Sequence, residues 1–162
     1  MKIAFWRTGA PVLLALSLAA CATAPVPVTL ADTVARAPQL STLNRLIAEA
    51  GLGDALRAEA PFTLFAPSDD AFKAVPSKTL AELGSDKALL KSVLSYHLLP
   101  GRMLAADVKN ANAKTVNGAN LALAQAGAMV TVEDALVVQA DLHASNGVVH
   151  VIDRVLLPPK AR

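Results

Sequence analysis

A single cysteine, Cys21, stands in a chain of 162 residues, so no intrachain disulfide can form and an exported domain must hold together through its core. Aromatic residues make up only 4%, with one Trp and one Tyr, and the Lys and Arg residues form no dense stripe. Nucleic acid is therefore not an expected partner. The apolar run Pro11 to Leu18 is too short to cross a bilayer as a mature helix. Catalytic signatures are missing too: there is no HExxH and no nucleophile elbow, and Gly51-Leu52-Gly53 lacks the third glycine and preceding strand of a dinucleotide fingerprint. No nucleophile, base and orienting group can be assembled, so no catalytic residue, metal site or cofactor is expected. No segment repeats.

What is present begins with a leader. Lys2 and Arg7 form a basic start, an apolar stretch follows, and small residues lead into Cys21, as a secretory signal requires. Leu18-Ala19-Ala20-Cys21 resembles a bacterial lipobox, which implies cleavage before Cys21 and its acylation with diacylglycerol and palmitate-type chains. Two or three chains at about 0.8 kcal/mol per buried CH₂ hold a protein stably on a bilayer. Ala22-Thr23 lacks the aspartate of an inner-membrane retention signal, which points to the outer membrane in a diderm source, facing the periplasm or the exterior. Pro25 and Pro27 give an extended spacer. The expected division is a signal peptide over 1–20, a lipidated cysteine and tether over 21–29, one domain over 30–158 and a tail over 159–162. Without Lys2 and Arg7 the formal charge falls from +2 to zero, which removes any argument for electrostatic adhesion to anionic lipid.

The domain reads as α+β, a helical N-terminal half packed on a mainly antiparallel β half. Leu40, Leu43, Leu46, Ile47 and Ala50 recur at helical spacing, with Ser41 as the expected cap and Gly51 as the stop. A helical turn is expected around Asp54 to Ala58. Phe62 to Ala66 reads as a buried strand, followed by a helix that Ser68 caps, Asp69 and Asp70 favour through the dipole, and Pro76 ends, with Phe72 and Val75 facing inward. Asp86 to Tyr96 is amphipathic. Pro100-Gly101 closes an extended piece, and Asn117-Gly118 predicts a type I′ hairpin. Leu121 and Leu123, Met129 to Val132 and Val137 to Ala140 supply strands. Val148 to Ile152, apolar on both faces, reads as a central one. Ala111 to Lys114 and Ala124 to Ala128 are expected to be small-residue loops.

Two distant segments, Phe62-Thr63-Leu64-Phe65-Ala66-Pro67-Ser68-Asp69-Asp70-Ala71-Phe72 and Asn146-Gly147-Val148-Val149-His150-Val151-Ile152-Asp153-Arg154-Val155-Leu156-Leu157-Pro158, frame the domain, with Tyr96-His97 between them. They resemble the signature segments and central motif of the fasciclin-like domain, over about Leu30 to Leu157. Two such apolar runs framing a domain suggest neighbouring strands in one core, and the resemblance implies a non-enzymatic extracellular binding or adhesion module. Its motif positions here are Thr63, Pro67, Asp69, Asp70, Asn146, Gly147, His150 and Asp153.

Asp69-Asp70 could attract a divalent cation, but successive helical side chains diverge by about 100°, and helix capping is the preferred reading. His97 and His150 are expected to be neutral core residues, each joining backbone groups through one donor and one acceptor. Asp141-Leu142 resembles in position an Asp-Ile pair implicated in integrin binding by animal members, with Leu142 in place of isoleucine. The plainer reading is a loop fixed locally by Asp141 and Asn146. Asp141, Leu142, Tyr96 and His97 are the partner-binding candidates, although core packing with a tethered hydroxyl is preferred for Tyr96. The expected function is a membrane-anchored contact with a protein or glycan of the cell surface or envelope. The alternative is a periplasmic small-ligand binder or sensor, which needs an apolar pocket lined by His97, His150 or Tyr96.

Overall fold

A computed structural model describes residues 28–159. The leader, Cys21 and most of the tether lie outside the described residues, as do residues 160–162. The domain opens on α1 (Leu30–Arg36), a helix too short to show periodicity and not foreseen. Thr29 and Asp32 form its capping box, and Leu30, Ala31 and Val34 are buried. A 3₁₀ turn at Pro38–Leu40 leads into α2 (Ser41–Ala50), which ends at Gly51 with φ of 68°. Ser41 is the first residue of this helix and not its cap; the side chain that caps it comes from elsewhere.

A 3₁₀ turn at Ala55–Arg57 precedes β1 (Phe62–Pro67), and Ser68 then caps α3 (Asp69–Lys73). That helix is shorter than expected, and Val75, beyond its end, is only half-buried. Pro76 both follows it and starts α4 (Ser77–Ser85), an element the sequence reading missed. The carboxylate of Asp86 accepts from Ala88 and Leu89 N–H groups to start α5 (Lys87–Tyr96). Then come β2 (Leu98–Pro100), a 3₁₀ turn at Ala105–Asp107, β3 (Ala111–Lys114), β4 (Asn120–Ala126), β5 (Met129–Val132), β6 (Ala135–Ala144) and β7 (Gly147–Ile152). Residues 111–114 and 124–126 are therefore strands, not loops. Alanine has little β preference of its own, and the β3–β4 ladder, with Ala111 opposite Leu123, supplies what the side chains do not.

The seven strands form one sheet in the order β2-β1-β7-β6-β5-β4-β3. Only β1 and β7 run parallel, with Phe62 opposite Gly147 and Pro67 opposite Ile152; the other pairs are antiparallel. β7 is thus central, and all six of its residues are buried. The β3–β4 connection is a type I turn with Gly118 in the left-handed position, at φ of 95°, while Asn117 keeps a negative φ. The negative φ of Asn117 excludes the expected type I′ turn, and its side chain donates to the carbonyl and hydroxyl of Ser92 at 2.7 Å each. Val116 N–H donates to Leu98 O at 2.8 Å, so the far hairpin folds back on β2 and gives the β half its wedge shape.

Alternation along β1 and β7 divides the core. Leu64, Ala66, Val149 and Val151 face α1, α2 and α5. Phe65 and Ile152 face the wedge with Tyr96, Leu121 and Val132. No helix among the described residues is long and apolar enough to cross a membrane.

Candidate functional site

The second signature segment places its polar groups where backbone from distant elements converges. Asn146 is buried; its Oδ1 accepts from Leu30 N–H at 2.8 Å, and its Nδ2 donates to Leu56 O at 2.9 Å and Ala58 O at 2.7 Å. These are long-range bonds rather than a local loop fixing. Gly147 sits where β7 first meets β1, and any Cβ there would collide with the carbonyl of Phe62. Asp153 closes the other end, accepting from Leu136 N–H at 2.7 Å while its own N–H donates to Leu136 O.

His150 stacks on Phe65 with ring centroids 5.6 Å apart. Its Nδ1 accepts from Asp141 N–H at 3.2 Å, which puts the proton on Nε2, and Nε2–H donates to Met103 O at 2.9 Å. Thr63, also buried, donates to Gly101 O and accepts from Met103 N–H. Asp141 Oδ1 accepts from Ala105 N–H at 2.9 Å. Thr63, Asp141 and His150 therefore pin the segment after β2 against the sheet. Asp141 lies in β6, not in a loop, with φ of 57° at an irregularity in the β6–β7 register. Its left-handed backbone turns its N–H toward the imidazole.

His97 has the opposite tautomer. Leu156 N–H donates to Nε2 at 3.0 Å, so the proton is on Nδ1, 2.8 Å from Val93 O. Burial pushes its pKa down to about 4, against a smaller upward pull from the Val93 carbonyl. Burial likewise lowers His150, opposed by the Met103 carbonyl and the Asp141 charge. With the folded value of His97 below its ordinary 6.5, the unfolded chain takes up a proton first as pH falls. The stabilisation is whole above pH 6.5 and is lost between 6.5 and about 4, on the order of 3 kcal/mol in all from this group. Urea unfolding at pH 7.5 and 4.5 is expected to show that loss, and equal midpoints would contradict the neutral assignment.

Tyr96 and His97 are 3% and 1% exposed, so neither offers a side chain to a partner in the folded domain. The Tyr96 hydroxyl lies 3.0 Å from Asn120 O and 3.2 Å from Glu133 Oε1. Burial, then the Glu133 charge, pushes its pKa up to about 12. Glu133, at φ of 54°, also accepts from Ala122 N–H at 2.8 Å; nothing in the local sequence marks this role.

Asp69 provides the missing cap of α2. Its Oδ1 accepts from Thr42 N–H at 2.8 Å and its Oδ2 from the Ser41 hydroxyl at 2.7 Å. Burial works upward on this carboxyl, but these bonds outweigh it and hold the pKa below the usual carboxylate range. Asp70 makes an exposed 2.7 Å ion pair with Lys73. The two carboxylates thus serve different elements rather than one ion. Asp69→Ala is expected to cost about 1 kcal/mol in urea unfolding, as for a lost N-cap, and Asp70→Ala next to nothing. Equal effects would remove the capping assignment.

Of the candidates, Leu142 reaches the surface, and its neighbour His143, which the sequence reading had not singled out, is exposed beside it. With Arg36, Pro38 and Gln39 they line a shallow groove of about 360 Å³ between α1, the following 3₁₀ turn and β6. A bond of 3.1 Å between the side chains of Gln39 and Gln139 bridges the same two elements. Leu142 is half-buried and His143 exposed. Asp141 is partly exposed, though its carboxylate is already engaged.

A seven-stranded sheet whose first and last signature strands run parallel side by side, locked by Asn146, Gly147 and His150, defines a recognisable class. A family model of the fasciclin domain matches residues 38–158, and the chain belongs to that family. It is similar to protein sll1483 of Synechocystis sp., 41% identical over 133 residues that cover 81% of this chain and 74% of that one. It is also similar to the cell surface glycolipoprotein MPB83 of Mycobacterium bovis, 34% identical over 127 residues, or 75% of this chain and 57% of that protein. A solved FAS1 domain pair from the insect cell adhesion molecule Fasciclin I shares the fold over 80% of this chain and 50% of its own, with a TM-score of 0.64 at 20% identity.

Proposed function

We propose that the protein is a non-enzymatic adhesion module of the bacterial cell envelope, held to the membrane by acyl chains on Cys21 and meeting a protein or glycan through the Leu142 groove. The observation that carries this reading is the groove itself. It joins an apolar floor to the Arg36 side chain and an exposed imidazole, on a strand that the Asp141 bonds pin in place. A relative named as a cell surface glycolipoprotein and a fold shared with a cell adhesion molecule support the same reading. Val28 borders the groove, and the seven residues from Cys21 to it span at most about 25 Å. Anchorage holds many copies near one surface, so weak single contacts add up.

Beads coated with the domain are expected to bind envelope fractions. His143→Ala should lower that binding at least tenfold with unchanged melting temperature, Leu142→Ala should do so with a modest loss of stability because its side chain also packs on the helical core, and Met129→Ser on β5 should do neither. Equal binding by all four proteins would move the contact to another face. Labelling with a palmitate analogue is expected to mark the wild type and not Cys21→Ala.

A further inference from the structure

A second cavity, of about 100 Å³, shares no residue with the Leu142 groove and is of a different kind. It lies between α2, the 3₁₀ turn at Ala55–Arg57, β1 and the end of α5, walled by Ile47, Leu52, Phe62, Leu94 and Leu98. The only side-chain polar group in that wall is the hydroxyl of Ser95. Interiors are packed as densely as organic crystals, so a void of this size is a departure that needs a cause. The smallest side chains in the wall are those of Ala55 and Ser95.

The mouth is preformed. Val116, 47% exposed, borders it from the β3–β4 turn, and that turn is fastened by Val116 N–H to Leu98 O, by Asn117 N–H to Ser95 O and by the Asn117 side chain to Ser92. Such a space suits water poorly, since an ordered water needs two to four polar partners and this wall offers one hydroxyl. A dry apolar cavity of about 150 Å³ takes up benzene or xenon. None of His97, His150 or Tyr96 lines it, so it is not the histidine-lined pocket that the sequence led one to look for.

We propose that this cavity is a binding site for a small apolar guest, a compact hydrocarbon or the end of an alkyl chain, with any single polar group of the guest directed to Ser95. The site is independent of the adhesion reading, since the two share no residue.

The test is a methyl-resolved NMR titration of the full-length chain with benzene, and separately with sodium decanoate below its micellar concentration. Saturable shifts confined to the methyls of Ile47, Leu52, Leu94 and Leu98 are expected. Val116→Trp, a change at an exposed turn position that blocks the mouth, should weaken binding at least tenfold while the amide spectrum stays native. Ser95→Leu fills the space from within and should do the same if the first variant fails to fold. Competition of decanoate with benzene identifies the guest as a chain end, and benzene binding without competition identifies it as a free small molecule. Shifts that are absent, that fail to saturate, or that persist in both variants would overturn the proposal and leave a packing defect.

Discussion

Gly147→Ala is expected to be the most damaging single substitution in the domain, lowering stability by more than about 4 kcal/mol, in the range reserved for changes that break a packing constraint. The added methyl would occupy the space of the Phe62 carbonyl and press on the Leu30 side chain. Neither can yield cheaply. Phe62 is the first residue of the β1–β7 register, and its N–H already donates to Asn146 O at 3.1 Å. Moving it would pull apart the one parallel pair of the sheet. Gly84→Ala in α4 is the control: nothing lies within 4 Å of its would-be methyl, and replacing a helical glycine is neutral or favourable by roughly 0.5–1 kcal/mol. Urea unfolding of both variants checks the pair, and similar midpoints would mean that the strands can part without loss.

Asn146→Ala should come next, at about 3 kcal/mol or more, because it strands three backbone groups at once. Leu30 N–H, Leu56 O and Ala58 O would each lose their partner; the first two bonds are buried, and each buried orphan costs about 1–3 kcal/mol, while the Ala58 carbonyl is open to water. Asn146→Asp separates the two halves of the effect. It keeps an acceptor for Leu30 N–H but turns carboxylate oxygen toward the two carbonyls, so it should be at least as harmful at pH 7 and partly relieved at pH 4. A variant as stable as the parent at both values would show that water replaces the amide.

The elements legible in the sequence are those whose own residues carry the signal. Val148 to Ile152 announces a strand buried on both faces, and Asp86 announces a helix start; both stand where expected. α1 was hidden because seven residues cannot display a period, and its stability comes from burial of Leu30 and Val34 against the sheet. β3 was hidden because its two alanines and two polar residues carry no strand preference of their own, and the ladder with β4 supplies it. The polar network was legible as a set of residues but not as a set of bonds. Asp69 reaches back 28 residues to Ser41 and Asp141 reaches 36 to Ala105, and no local pattern encodes such partners. The left-handed backbone of Asp141, which turned an expected loop into a kinked strand, likewise exists only because β7 and the 101–108 segment hold it.

The parallel union of β1 with β7 sets a condition on how this polypeptide comes into being. The innermost strand is also the last to emerge from the ribosome, and it completes a partner made some 85 residues earlier. Closing so large a loop is slow and is rewarded only when the final segment arrives. A nascent chain short of Gly147 therefore has no parallel partner for β1 around which to condense, and the domain can close only once that segment has been made.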